Sequence, residues 1–365
     1  MARLNVTAST ATTITVDGRE VLAFGGCNYL GLAHHPEVVQ ALAEGALNFG
    51  LSTTASRETT GNTAVHEDLE RDLARWMNQD AAILLAEGYT ANIALAQALA
   101  RDHGIALIDA KAHRSLRAAA TAAGMQVFEY EHRSPTSAAW LCRQYGDQGV
   151  AILTDGVFAA DGALAPIPGL LDVLPGRRAT LVVDDCHGVA VLGARGSGTV
   201  EHFGIRDERI AITTTLAKGV GCYGGAVIGR RKLIDSVREH ADVYRRSTPV
   251  PTPFASAARA AVGVIERQPA LLDALRRNIA QVRGGLNAIG IGVHGEDAPI
   301  FTFVLDPRER MPRIHHALLT EGLYAPLIEY PGGPTDQFFR ITVTAAHTPE
   351  QIDRLLAAFA RHCAA

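Results

Sequence analysis

Four short segments carry residues whose types and spacing suit covalent and acid–base chemistry. TTTLAKGVGCYGGAVIG (213–229) places Lys218 in a small-residue loop behind an apolar run. Glycines at 219, 221, 224 and 225 let the main chain approach a ligand closely. Thr215, three residues before the lysine, brings a hydroxyl to the same end. Taken alone, such a lysine is most often a surface residue. VDDCHG (183–188) closes another apolar run with two carboxylates, and a buried acidic pair is costly unless one member meets a cation. Asp184 is the member assigned to that cation, with Asp185 facing the other way and His187 close by. A metal pair or a helix cap remains an alternative for this segment. AEGYTAN (86–92) joins a strand to a helix through Gly88 and Tyr89, and main-chain N–H groups at a helix start form a phosphate site. His113, in DAKAHRSL, either stacks on a flat ligand or caps a helix.

The surrounding pattern shows how these segments are held. TTITVDGREVLAF (12–24) places two β-prone runs around Asp17-Gly18, a hairpin signal. Helices are expected from Pro36 to Phe49 and from His66 to Trp76. AAILLA, IALIDA, MQVFEY, VAILTD, ATLVVDD and RIAITTT then read as short apolar strands, the earlier ones alternating with helices that start near Tyr89, His113 and Pro135. Such alternation predicts an α/β fold with a mostly parallel central sheet covered by helices on both faces, and ligands in such folds sit beyond the carboxyl ends of the strands. After Pro253 the texture changes to an Ala-rich helical stretch (255–290), IFTFVL, a helix near Arg313, FFRITV and a last helix (349–362). The expected division is an N-terminal hairpin segment (1–35), a large domain (36–253) and a smaller α+β C-terminal domain (254–365).

Composition narrows the function. A net charge of −4 provides no basic field for nucleic acid. No run approaches the ~20 apolar residues of a membrane helix. The first residues lack the apolar core of a signal peptide, and the five cysteines show no paired spacing, so a reduced cytoplasmic setting is expected. No metal site is read. GARGSG (193–198) imitates a nucleotide loop but lacks the strand-to-helix context one requires.

Pyridoxal 5'-phosphate (PLP) would use all four segments. It needs an amine for the imine, a carboxylate for its pyridine nitrogen, donors for its phosphate, and flat or apolar groups over its ring. The segments, together with CNYLGLAHHP (27–36), ASRETTGNTAVHEDLE (55–70), TDGVFAADG (154–162), DDCHGVAVLGARGSG (184–198) and FRITVTAAHT (339–348), resemble the α-oxoamine synthase family of fold-type I PLP enzymes, in the family's order over nearly the whole chain. The resemblance implies Lys218 as the Schiff-base lysine, Asp184 on the ring nitrogen, His187 at the phenolic oxygen and His113 stacked on the ring. It assigns the phosphate to Thr215 and the Gly88-Tyr89 main chain, with Thr248 reaching the phosphate of a second subunit of a homodimer. Arg340 would bind the substrate carboxylate, and Asn28 would line the substrate end. The implied reaction condenses a small amino acid with an acyl thioester, acyl-CoA or an acyl carrier, usually with loss of carbon dioxide, to give an α-amino ketone. The alternative is aldol cleavage, transamination or decarboxylation without an acyl donor. A non-catalytic partner subunit would lack Lys218. Three positions depart from the family: Ala159 where a serine is usual, Cys186 before His187, and Glu87 beside the phosphate loop, whose charge is expected to point away.

Overall fold

The computed structural model describes residues 4–176, 178–293 and 297–364. Asp17 and Gly18 both take positive φ, 51° and 74°. That matches the two-residue turn joining β2 (Thr13–Val16) to β3 (Arg19–Ala23), with β1 (Val6–Ser9) added outside β2. Helix α1 (Pro36–Phe49) starts at its proline, and α2 (Ala64–Trp76) starts two residues before the expected His66.

The large sheet comprises β4 (Ala81–Leu85), β5 (Ile105–Asp109), β6 (Gln126–Tyr130), β7 (Val150–Asp155), β8 (Thr180–Asp184), β9 (Ile210–Thr215) and β10 (Gly225–Gly229), in the order β4-β10-β9-β8-β7-β5-β6. Strands β5 to β9 pair in parallel, while β10 is antiparallel to both β4 and β9. The connection from β9 to β10 is too short to hold a crossover helix, so the chain must return antiparallel. The GAVIG end of the expected small-residue loop is therefore a buried strand. Alternation along the strands splits the core. Val150 and Ile152 pack on one face with Leu141 and Leu170. Ala151 and Leu153 pack on the other with Leu95, Leu116 and Ile234. That second face is covered by α3 (Gly88–Leu99) and α4 (Arg114–Ala122), among others.

The Ala-rich stretch is two helices, Thr252–Arg267 and Ala270–Ala288, not one. Pro269 interrupts it because it lacks an N–H and disfavours a helical residue before it. Helix Thr252–Arg267 packs on α1 and α2. The last helices cover an antiparallel sheet of β11 (Ile300–Phe303), β14 (Phe338–Thr342) and β13 (Leu327–Ile328), with Phe303, Phe339 and Phe359 in mutual contact. Strand β12 (Leu323–Tyr324) pairs in parallel with β3 and joins the N-terminal hairpin to this region.

His347 closes that junction. Its ring stacks on Phe24 at 4.6 Å, Nδ1 accepts from the Thr344 N–H, and Nε2–H donates to the Ala23 carbonyl. Burial pushes this imidazole down from 6.5 to about 4. A depressed imidazole supports folding above its unfolded value and withdraws that support as pH falls toward the folded one. Between pH 7.5 and pH 4 the wild type should therefore lose about 3 kcal/mol more stability than His347→Gln in paired urea titrations.

Candidate active site

Strand β9 ends at Thr215, and the nine residues before β10 carry Lys218. The Thr215 hydroxyl donates to the Gly224 carbonyl (3.2 Å) and accepts the Ala217 N–H (3.2 Å), closing the base of the loop. Gly221 has φ 74°, and a Cβ there would stand 2.4 Å from the Ala33 nitrogen, so the loop lies directly on the CNYLGLA segment. Lys218 Nζ lies 2.8 Å from His187 Nε2, and His187 Nδ1 lies 2.7 Å from the Tyr29 hydroxyl. With the lysine as donor, Nε2 accepts and Nδ1–H donates to the tyrosine oxygen. Burial, then the Lys218, Arg340 and His113 charges, pushes the His187 imidazole well below its ordinary value, so the ring is neutral.

The two aspartates at the end of β8, Asp184 its last residue and Asp185 the next, face opposite ways. The Asp185 carboxylate accepts from both the N–H and the hydroxyl of Thr199. Cβ atoms at Gly156, Gly188 or Gly198 would each collide with it. Burial pushes its carboxyl up to about 6. It is a packing centre. Asp184 is buried on the opposite side, where its hydrogen bonds come from neutral donors: the Asn92 amide (2.7 Å) and the Cys186 N–H (3.2 Å). Across the β7–β8 ladder, Asp184 pairs with Asp155, whose carboxylate accepts the His113 N–H at 3.0 Å. Burial first and the Asp184 charge second hold the Asp155 carboxyl well above the usual range.

Asn92 belongs to the EGYTAN motif, but its type alone gives no sign of the role it takes. It lies one turn into α3 and is buried. Its Nδ2 donates to Asp184 and to Ser115 Oγ (2.9 Å), and its Oδ1 accepts from the Thr213 hydroxyl (2.6 Å). Ser115 Oγ in turn lies 2.7 Å from His113 Nδ1. His113 is the N-cap of α4, so the capping alternative is realised, and its ring also faces the cavity.

That cavity, of about 270 Å³, is lined by Lys218, Asp184, His187, His113, Thr215 and the Gly88-Tyr89 main chain, among others. It sits where β7, β8 and β9 end. Helix α3 begins at Gly88, and its first N–H groups have no intrahelical acceptors. A Cβ on Gly88 would stand 3.0 Å from the Thr215 side chain and 3.2 Å from Cys186 Sγ, filling the cradle. Glu87, expected to point away, is the N-cap of α3: it is exposed, its side chain turns back to accept the Thr90 N–H, and it lines the cavity. The other candidates lie outside the lining. Arg340 Nε donates to the Ala159 carbonyl (2.7 Å), a main-chain contact independent of the missing serine hydroxyl. Its charge reaches Tyr29, His187 and Tyr330. Asn28 Oδ1 accepts the Ala33 N–H (3.2 Å) and holds the turn beneath the lysine loop. Thr248 is exposed and away from this cavity. The amides of GARGSG are bound elsewhere: Arg195 and Ser197 donate theirs to the Glu201 carboxylate.

An amine, a buried carboxylate bound to neutral donors, a glycine-walled helix start and an imidazole face meet in one cavity, and this set fits PLP. The sequence model for aminotransferase class I and II matches residues 19–359. The chain belongs to this family. Within it, the chain is an α-oxoamine synthase. It is 37% identical to an 8-amino-7-oxononanoate synthase of Thioalkalivibrio sulfidiphilus, over 95% of this chain and 89% of the relative. A second, of Pseudomonas paraeruginosa, is 36% identical over 94% and 86%. A serine palmitoyltransferase from S. paucimobilis, solved with a bound PLP–myriocin aldimine, has the same fold, with TM-score 0.91, 24% identity and coverage of 99% and 92%. The protein is thus a PLP-dependent C-acyltransferase with the fold-type I architecture. Among the described residues no helix is long and apolar enough to cross a membrane.

The division between the aspartates has a direct test. Asp185→Asn should lower stability by about 1–3 kcal/mol while leaving PLP affinity intact. Asp184→Asn should weaken PLP binding at little cost in Tm. Thermal melts and equilibrium dialysis of the two variants measure both quantities.

Proposed function

We propose that this α-oxoamine synthase joins alanine to a pimeloyl thioester and releases 8-amino-7-oxononanoate, carbon dioxide and the free thiol. The product named for the relatives supports this reading. Breaking its bond between the keto carbon and the amino carbon leaves an aminoethyl fragment, which is alanine less its carboxyl group, and a seven-carbon dicarboxylic acyl group. Atoms balance: the α-carbon gives up its proton and takes the acyl group, the departing thiolate is protonated, the carboxylate leaves as carbon dioxide, and a proton taken up from solvent replaces it on the α-carbon.

In this reading Lys218 holds the cofactor covalently, and the observation that carries it is that amine inside the cavity shared with Asp184. Bound there, PLP supplies an electron sink that acidifies the α-C–H bond of the amino acid. Asp184 keeps the ring nitrogen protonated, and His113 covers one ring face. The Gly88-Tyr89 amides and Thr215 hold the phosphate. His187 contacts the phenolic oxygen and, being neutral, accepts a hydrogen bond from Lys218 (2.8 Å) without adding positive charge. Lys218, with its amine free, would take the α-proton of the amino acid. Arg340 binds the amino acid's carboxylate as a planar fork, and Asn28 borders the substrate end.

A homodimer completes the site in this proposal, with Thr248 of each copy reaching the phosphate of the other. The cavity rim supports it. Tyr223 lines the cavity and meets Phe254 edge-on at 5.7 Å, both rings being exposed. The helix bearing Phe254 packs on α1, which exposes Leu47 and Phe49. The division at residues 35 and 253 belongs to the same proposal, with helix Thr252–Arg267 running across the second boundary. The relatives favour acyl transfer, and none of the matches named above favours aldol cleavage or transamination.

Purified enzyme given a pimeloyl thioester should release thiol with alanine, and mass spectrometry should find the amino ketone. Glycine and serine should react about tenfold or more slowly in kcat/KM. Thiol release without alanine dependence would contradict the substrate assignment. Lys218→Ala should lose turnover, and borohydride reduction should no longer fix PLP to the peptide containing residue 218.

A further inference from the structure

We propose that Asn92 is a positioning residue that binds Asp184 and His113 into one unit facing the cofactor ring. The inference rests on the assignment of Asp184 to the ring nitrogen and goes beyond it.

The hydrogen bonds around Asn92 run in one direction. The Thr213 hydroxyl donates to Oδ1, and Nδ2 spends one proton on Asp184 and the other on Ser115 Oγ. Reversing the amide would set its oxygen against the Asp184 carboxylate, acceptor against acceptor. Ser115 Oγ, which accepts from Asn92, lies 2.7 Å from His113 Nδ1. The Ser115 N–H approaches the same nitrogen at 3.4 Å. His113 Nδ1 is therefore an acceptor, and the imidazole proton sits on Nε2. One amide thus orients the carboxylate on the ring nitrogen and, through the Ser115 hydroxyl, ties it to the ring-covering histidine.

Packing gives no reason for an asparagine here. The position is buried beside Ala91 and Leu95 on α3, where an apolar side chain would need no partners. A buried polar junction persists at such a place only when it is fully satisfied. Each donor and acceptor of this amide is used, and its partners lie on β8, β9 and the first turn of α4. Deleting it leaves a buried carboxylate with one donor fewer and frees the Ser115 hydroxyl to turn.

The test compares PLP with its carbocyclic analogue, in which C–H replaces the ring nitrogen, by equilibrium dialysis against the apoenzyme. Wild type should favour PLP. Asn92→Ala should bind PLP about tenfold to a hundredfold more weakly and the analogue only slightly more weakly, because the analogue makes no use of Asp184 and loses only the tether on His113. Equal weakening for both ligands would show a purely structural role and overturn the proposal, as would unchanged PLP binding. Thr213→Val, which removes only the hydroxyl that orients the amide, should shift PLP binding in the same direction by less. It decides the matter by the same criteria if Asn92→Ala does not fold. A wild type without preference for PLP would instead overturn the assignment of Asp184, whereas a preference that survives Asn92→Ala overturns only the role of Asn92.

Discussion

The site depends on one buried carboxylate. Asp184 lies at the end of a central strand, with another carboxyl, that of Asp155, across the ladder. Its hydrogen bonds come from an amide side chain and a main-chain N–H. Neutral donors soften the loss of hydration but do not replace a counter-charge. In the proposed site a protonated pyridine ring would supply that charge, and the cofactor would relieve a cost built into the apoprotein. Asp185, next in the chain, faces away and finds full hydrogen bonding from Thr199 within a wall of glycines. Adjacent residues of one type thus serve the cavity and the packing because successive positions at a strand end face opposite ways.

The sheet order makes the meeting possible. Strands β7, β8 and β9 are neighbours and parallel, so Asp155, Asp184 and Thr215 arrive at one edge although sixty residues separate the first from the last. The return strand β10 then inserts between β9 and β4. This brings the α3 start against the lysine loop: a Cβ on Gly225 would stand 2.3 Å from Glu87 main-chain atoms. The small residues of TTTLAKGVGCYGG answer to that close packing as much as to the ligand.

Ala159, Cys186 and Glu87, the departures from the family's usual residues, all line the cavity. Arg340 uses the Ala159 carbonyl, which any residue there would supply. Cys186 fills space beside Gly88 at the cavity wall, and burial first and the Asp184 charge second push its thiol well above the ordinary range.

Hydrophobic alternation, the Asp17-Gly18 turn and proline-started helices were legible in the chain because local sterics and periodicity dictate them. Lys218, Asp184 and His187 were also legible, since an amine, an acidic pair and an imidazole after apolar runs are unusual enough to stand out. The antiparallel course of Gly225–Gly229 and the break at Pro269 in the Ala-rich stretch were not anticipated; the first follows from partner strands and a short connection, not from composition. The role of Asn92 lay further out of reach, because an asparagine one turn into a helix acquires meaning only when β8, β9 and α4 bring Asp184, Thr213 and Ser115 to it. The sequence by itself determined which groups are chemically able; the tertiary structure decided which of them share hydrogen bonds, because those bonds join residues 23 to 121 positions apart.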